Sequence, residues 1–185
     1  MEDLQTALLV VVPEAEEAVG RHRARLDRAA RWNVPAHITV LFPFLPLPDI
    51  DLGELRELFR ALPAFAGRLE RVGWFGDVVA WLAPEPAHRF RGLTETVWRR
   101  YPQAPPFEGA FDEVVPHLTI GHDHPRPELE RAAAQAAEHL PIDFAVDHVR
   151  LMAGKVGVQA WRSVAELPLG YLRATPGLTR TAGPP

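Results

Sequence analysis

A short pattern occurs twice in this chain, and it restricts the possible fold more than any other stretch. The first copy is Val34-Pro35-Ala36-His37-Ile38-Thr39-Val40-Leu41-Phe42; the second is Val114-Val115-Pro116-His117-Leu118-Thr119-Ile120-Gly121. Each reads His-apolar-Thr-apolar behind a Val-Pro pair, in the β-branched, apolar context of a buried strand. Strand side chains alternate faces, so His37 and Thr39 point the same way with Cα atoms about 7 Å apart, and so do His117 and Thr119. Ile38, Val40 and Phe42 take the opposite face of the first strand, as Leu118 and Ile120 do in the second. One His-x-Thr is a weak signal. Two copies in matching settings read as a pair of imidazole–hydroxyl couples.

The whole chain bounds what such a pair serves. A length of 185 residues suits one compact unit, or two small lobes sharing a core. The formal charge is −4 and Lys155 is the only lysine, which argues against non-specific binding to duplex nucleic acid. Recognition of a single phosphate or nucleotide stays open. The chain has no cysteine, so disulfides, thiolate nucleophiles and cysteine-bound zinc are excluded. That composition fits the cytoplasm, where a monomer is expected. The apolar run Ala7 to Val12 is too short to span a membrane. Glu14, Glu16 and Glu17 follow it and no basic segment precedes it, unlike a signal peptide.

In order, Thr6 to Val12 predicts a strand. Pro13 then opens a helix with acids in its first turn and an apolar stripe of Ala15, Ala18, Val19, His22, Leu26 and Ala29 or Ala30. Arg21, Arg23, Arg25 and Arg28 are expected on its solvated face. His22, His88, His139 and His148 are expected at the surface or at helix ends. The first motif strand runs from Ala36 to Phe44. Asp51 caps a helix; Phe65 to Phe75 is a strand, Gly76-Asp77 a two-residue turn, and Val78 to Ala83 the returning strand. A third helix carries Phe90, Leu93, Val97 and Trp98. The Pro-rich connection from Tyr101 to Val115 leads to the second motif strand, which ends near His122. A helix after Pro125 and two strands, Ile142 to Met152 and Val156 to Leu167, complete the chain.

Laid over itself, the sequence shows a weak duplication. Val12-Pro13-Glu14 matches Ala83-Pro84-Glu85, His37 matches His117, and Phe65-Ala66 matches Phe144-Ala145. The expected organisation is a single bilobal domain over residues 1–173, with pseudo-repeats at about 6–76 and 77–169 and a flexible tail at 174–185. Lobes related by a pseudo-twofold axis place the two His/Thr couples across one cleft.

These paired motifs on strands resemble those of the 2H phosphoesterase superfamily, in its 2′-5′ RNA ligase or RNA 2′,3′-cyclic phosphodiesterase branch. His37-Ile38-Thr39-Val40-Leu41-Phe42 and His117-Leu118-Thr119-Ile120 carry the resemblance, and Val158 to Leu169 with Trp161 looks like the closing strand. The resemblance implies an α+β, bilobal, duplicated fold: two antiparallel-type sheets with flanking helices around a central cleft. It implies work without a metal or other cofactor, on RNA ends or small nucleotides bearing a cyclic or 2′-5′ phosphate. The chemistry suits the residues, because two imidazoles titrating near neutrality can act as base and acid. Two hydroxyls can hold the non-bridging phosphate oxygens.

His37, Thr39, His117 and Thr119 are therefore the candidate catalytic residues. Trp32 and Phe111 are candidate base-stacking groups, and Arg31 and Arg162 candidate phosphate partners. Two alternatives stand beside this reading. One is a non-catalytic nucleotide-binding module using the same cleft. The other is a metal-dependent hydrolase built on Gly121-His122-Asp123-His124. Strict alternation puts His122 and His124 on the face opposite His117, against the metal reading.

Overall fold

A computed structural model describes residues 4–109, 114–155 and 157–171. Among these residues eight strands form two four-stranded antiparallel sheets, ordered β2-β1-β7-β8 and β5-β4-β3-β6. The first contains β1 (Gln5–Val11), β2 (His37–Leu41), β7 (His148–Lys155) and β8 (Gln159–Pro168); the second contains β3 (Phe65–Phe75), β4 (Val79–Glu85), β5 (Leu118–His122) and β6 (Ile142–Val146). The motif strands β2 and β5 are the edge strands of their sheets, and they lie against each other.

The helices lock the sheets together. Helix α1 (Glu16–Leu26) follows β1 but packs mainly on β5 and on α5 (Arg126–Ala137). Helix α4 (Ala87–Arg100) follows β4 and packs on β2. Strands are exchanged as well: β3 leaves the first half of the chain to pair with β4, while β7 and β8 return to pair with β1 and each other. As a result Ile38 and Val40 of β2 share one buried core with Leu118 and Ile120 of β5. Full burial of a side chain such as Ile38 or Leu118 contributes about 1.5–3 kcal/mol. That burial turns the opposite faces of both motif strands away from the core.

Several local expectations change. The long first helix breaks at Asp27, whose backbone is extended and whose carboxylate caps the short α2 (Arg28–Arg31) by accepting from the Ala29 amide. Asp51 caps α3 (Leu52–Arg60), accepting from the Gly53 and Glu54 amides. The β3–β4 turn spans three residues, and exposed Val78 belongs to it and not to the strand. The expected strand from Ile142 to Met152 is two strands, β6 and β7, split at Asp147 and placed in different sheets. Its buried alternation changes phase there, from Phe144 and Val146 to Val149 and Leu151. Arg23, expected on the solvated face, is buried, and His22 is buried with the apolar stripe and not at the surface. The tail from 172 onward, with the expected flexible segment, lies outside the described residues. No described helix is long and apolar enough to cross a membrane.

Candidate active site

The two motif histidines are held alike. His37 Nδ1 lies 2.8 Å from the Pro35 carbonyl oxygen and His117 Nδ1 lies 2.7 Å from that of Val115, in each case two residues back along the chain. A carbonyl only accepts, so each Nδ1 carries the proton and each Nε2 is left as a free acceptor. Thr39 and Thr119 are half-buried beside them, and neither hydroxyl bonds to the protein among the described residues. The two rings are near enough that charge on His117 lowers the proton affinity of His37.

Beyond those couples the two sides differ. His117 meets Phe75 edge-on at 4.9 Å and Trp81 at 6.0 Å. His37 and Thr39 instead open into a cavity of about 310 Å³ lined by Trp32, Phe42, Phe107 and Trp161, with Arg28 and His122 at its edge. The backbone builds this wall. Trp161 N–H donates to the Trp32 carbonyl at 2.7 Å, and Asn33 Nδ2 donates to that of Trp161 at 3.1 Å. Phe107 N–H donates to the Phe42 carbonyl at 2.8 Å. Phe107 and Glu108 both adopt left-handed backbone (φ 50° and 56°), a strained state for residues with side chains that here turns the Phe107 ring into the cavity.

Phe42, expected on the core face, stands in this wall instead, 5.9 Å from the Trp161 ring. Leu8 pairs with Leu41 and Leu9 with Thr39, so Val40 is an extra residue in β2; this bulge leaves Val40 and Leu41 both buried and turns Phe42 to the cavity side. His122 is a parallel case. Ala80 pairs with Gly121 and Trp81 with Thr119, so Ile120 is an extra residue in β5. This bulge leaves Ile120 and Gly121 both buried and returns His122 to the cavity side. Gly121 is required there, since a Cβ would stand 2.6 Å from Leu26 Cβ of α1.

Electrostatics separate the three histidines. Burial, then the charge of Arg23, lowers the His37 pKa to about 4 against the opposing Pro35 carbonyl and Asp27. Burial also lowers that of His117, and the Val115 carbonyl opposes it. His122 goes the other way: its contact with Asp27, then its hydrogen bond to Asp123, outweighs burial and raises its pKa. Its Nε2 is 3.4 Å from Asp27 Oδ1 and its Nδ1 is 2.9 Å from Asp123 Oδ2. Asp27 is itself buried in an ion pair with Arg23 at 2.8 Å. Burial pushes its carboxyl up, yet His122, Arg23 and the Ala29 amide together bring it down to about 2.

Among the other sequence candidates, Trp32 is in the cavity wall. Arg31 is exposed, with its guanidinium donating to the Arg25 carbonyl at 2.6 Å, and Arg162 is exposed on β8; neither lines the cavity. Phe111 lies outside the described residues. Phe107, Phe42, Arg28 and His122 are additions that sequence reasoning missed. The isolated glycine of Ile120-Gly121-His122 was the available sign of a bulge. No group of three or more His, Asp or Glu side chains among the described residues is arranged to hold a metal ion.

Comparison with known proteins agrees with this fold. No curated protein matches the sequence. Among solved structures, Escherichia coli LigT complexed with 3′-AMP is 20% identical, with a TM-score of 0.58 over 91% of this chain and 99% of LigT. LigT complexed with NADP+ is 19% identical, with a TM-score of 0.58 over 92% and 99%. The Thermus thermophilus protein TT0787 is 17% identical, with a TM-score of 0.60 over 89% and 97%. At these identities the likeness establishes the fold. Residues 11–157 match the family described as the 2′-5′ RNA ligase superfamily. The chain thus belongs to that superfamily of 2H phosphoesterases.

Proposed function

We propose that the chain is a metal-independent phosphodiesterase with ligase-like chemistry, acting on 2′,3′-cyclic phosphates or 2′-5′ phosphodiesters through His37 and His117. The observation that carries this reading is the twin tethering of the two rings, each Nδ1 on a main-chain carbonyl and each Nε2 free. In hydrolysis, Nε2 of one histidine takes the proton of the attacking water as its oxygen bonds to phosphorus. The bond from phosphorus to the leaving ribose oxygen breaks, and that oxygen takes a proton from Nε2 of the other. The Thr39 and Thr119 hydroxyls donate to the non-bridging oxygens. His37, with the deeper pKa depression, suits the base, and His117 suits the acid once the bound phosphate anion raises its proton affinity. With a 5′-hydroxyl in place of water, the same step forms a 2′-5′ bond from a cyclic phosphate: the base takes the hydroxyl proton as O5′ bonds to phosphorus, and the bond to O3′ breaks as that oxygen takes the acid's proton. The nucleotides in the LigT structures make nucleotides the first ligands to test.

A nucleotide-binding module without turnover is the second reading, favoured by the lowered pKa of both histidines, which leaves little resident acid at neutral pH. The test is turnover of the nucleoside 2′,3′-cyclic monophosphates with a chelator present. Wild type is expected to hydrolyse them, and His37→Ala and His117→Ala to lose that activity. Binding without turnover by wild type selects the module. Turnover retained by both variants refutes the paired-base assignment.

A further inference from the structure

A second concentration of cations lies on the outer face of α1. At its seam with α5 is a small cavity of about 120 Å³ whose wall includes His22, Arg25, Arg131, Gln135 and Glu128. Arg21 crosses the seam, donating to Gln135 Oε1 at 3.2 Å, and its Nε donates to His22 Nε2 at 3.3 Å. His22 is only 6% exposed. Burial first, and then the charges of Arg21 and Arg25, holds its pKa below the ordinary value. Arg25 and Arg131 are exposed, and their side chains form no ion pair or hydrogen bond among the described residues.

The cations continue from this groove to the active site. Arg31 is tethered to the Arg25 carbonyl, and Arg28 is in the wall of the catalytic cavity. Acids along the path include Glu128 in the groove, Asp27, buried against Arg23 and His122, and Asp123, which pairs with Arg28 and His122. On a chain of net charge −4, this strip is a local feature and not a general one. Arg21 and Arg25 are one helical turn apart, about 6 Å along the axis, a step that one nucleotide linkage can bridge. A single row of guanidiniums fits one strand's phosphates; a duplex presents two.

Building on the function proposed above, we propose that this strip holds the phosphodiester backbone of a single-stranded RNA whose terminal phosphate sits between the two motif histidines. The preferred substrate is then an RNA end several nucleotides long, and a free mononucleotide is a poor one. The test compares wild type with Arg25→Glu/Arg131→Glu on a short RNA ending in a 2′,3′-cyclic phosphate and on 2′,3′-cyclic AMP. Wild type is expected to favour the RNA in kcat/KM by about tenfold or more, with a steep salt dependence, and the variant to lose that preference. Cyclic AMP turnover is expected to be unchanged, which also reports that the variant is folded.

In parallel, fluorescence anisotropy measures binding of the same RNA ending in a plain 3′-phosphate. Replacing both arginines by Ala is expected to reduce the slope of log K against log salt by about 1.4. Equal wild-type efficiency on RNA and cyclic AMP, or RNA binding indifferent to the substitutions, overturns the proposal while leaving the catalytic reading intact. Substitution-sensitive RNA binding with no turnover of either substrate supports the strip and removes the catalytic reading instead.

Discussion

The His37 side and the His117 side of the cleft start from the same four-residue pattern and end in different surroundings. His117 is packed against Phe75 and Trp81. His37 borders an aromatic cavity, with the buried Arg23–Asp27 pair close enough to act on its charge. A motif sets the local geometry of a ring, but its proton affinity and the space in front of it come from other segments. Two identical side chains on matching strands thereby acquire different surroundings.

The sharpest way to break the comparison is to remove each histidine in turn. His37→Ala and His117→Ala are each expected to lower kcat/KM on a 2′,3′-cyclic nucleotide by about 10²–10⁴-fold, the usual worth of a positioned acid or base. A large loss on one side only would mean that the rings are not partners. Next in size are the hydroxyls. Thr39→Val and Thr119→Val keep the shape of the strand but remove a donor, and kcat is expected to fall by about 10²-fold with each. Unchanged kcat would place the phosphate elsewhere.

Substrate affinity should divide the two sides more mildly. Trp32→Ala removes a stacking surface in the open cavity and is expected to cost about 1–3 kcal/mol in nucleotide binding, read as a raised Kd. Phe75→Ala, beside the closed ring, is expected to leave Kd nearly unchanged. Equal effects would erase the asymmetry.

The subtlest effect is on pH. With His37 as base, kcat/KM is expected to decline as pH falls through about 4, while the alkaline limb follows His117 and lies below the ordinary histidine range. Stability has the same sign. The unfolded chain protonates His37 at a higher pH than the native one does, so the stability carried by neutral His37 is present above about 6.5 and is lost as pH falls from there through about 4. Thermal unfolding of His37→Asn at pH 7 and pH 5 is expected to show a smaller drop than wild type. An identical drop would remove His37 as its source.

Much of this was legible in the residues themselves, and the reason is alternation. His37, Thr39 and His117, Thr119 could be assigned to a shared face of each strand because period-2 geometry is local. The capping of α3 by Asp51 and the bounds of β3 were readable for the same reason: short-range chemistry decides them. The fold class followed from the repeat and from the family that the motifs resemble.

What sequence reading could not supply was any feature made by segments distant in the chain. The bulge at Ile120 depends on how β5 pairs with β4, and it moves His122 into the cavity. Arg23 looked like one more solvated cation until the fold placed α1 against β5 and buried the residue with Asp27. The aromatic wall draws on Trp32, Phe42 just past β2, the loop at Phe107 and β8, which no sequence interval brings together. Local pattern thus determined which side chains share a strand face; long-range packing decided what each face meets, because burial and charge act through space and not along the chain.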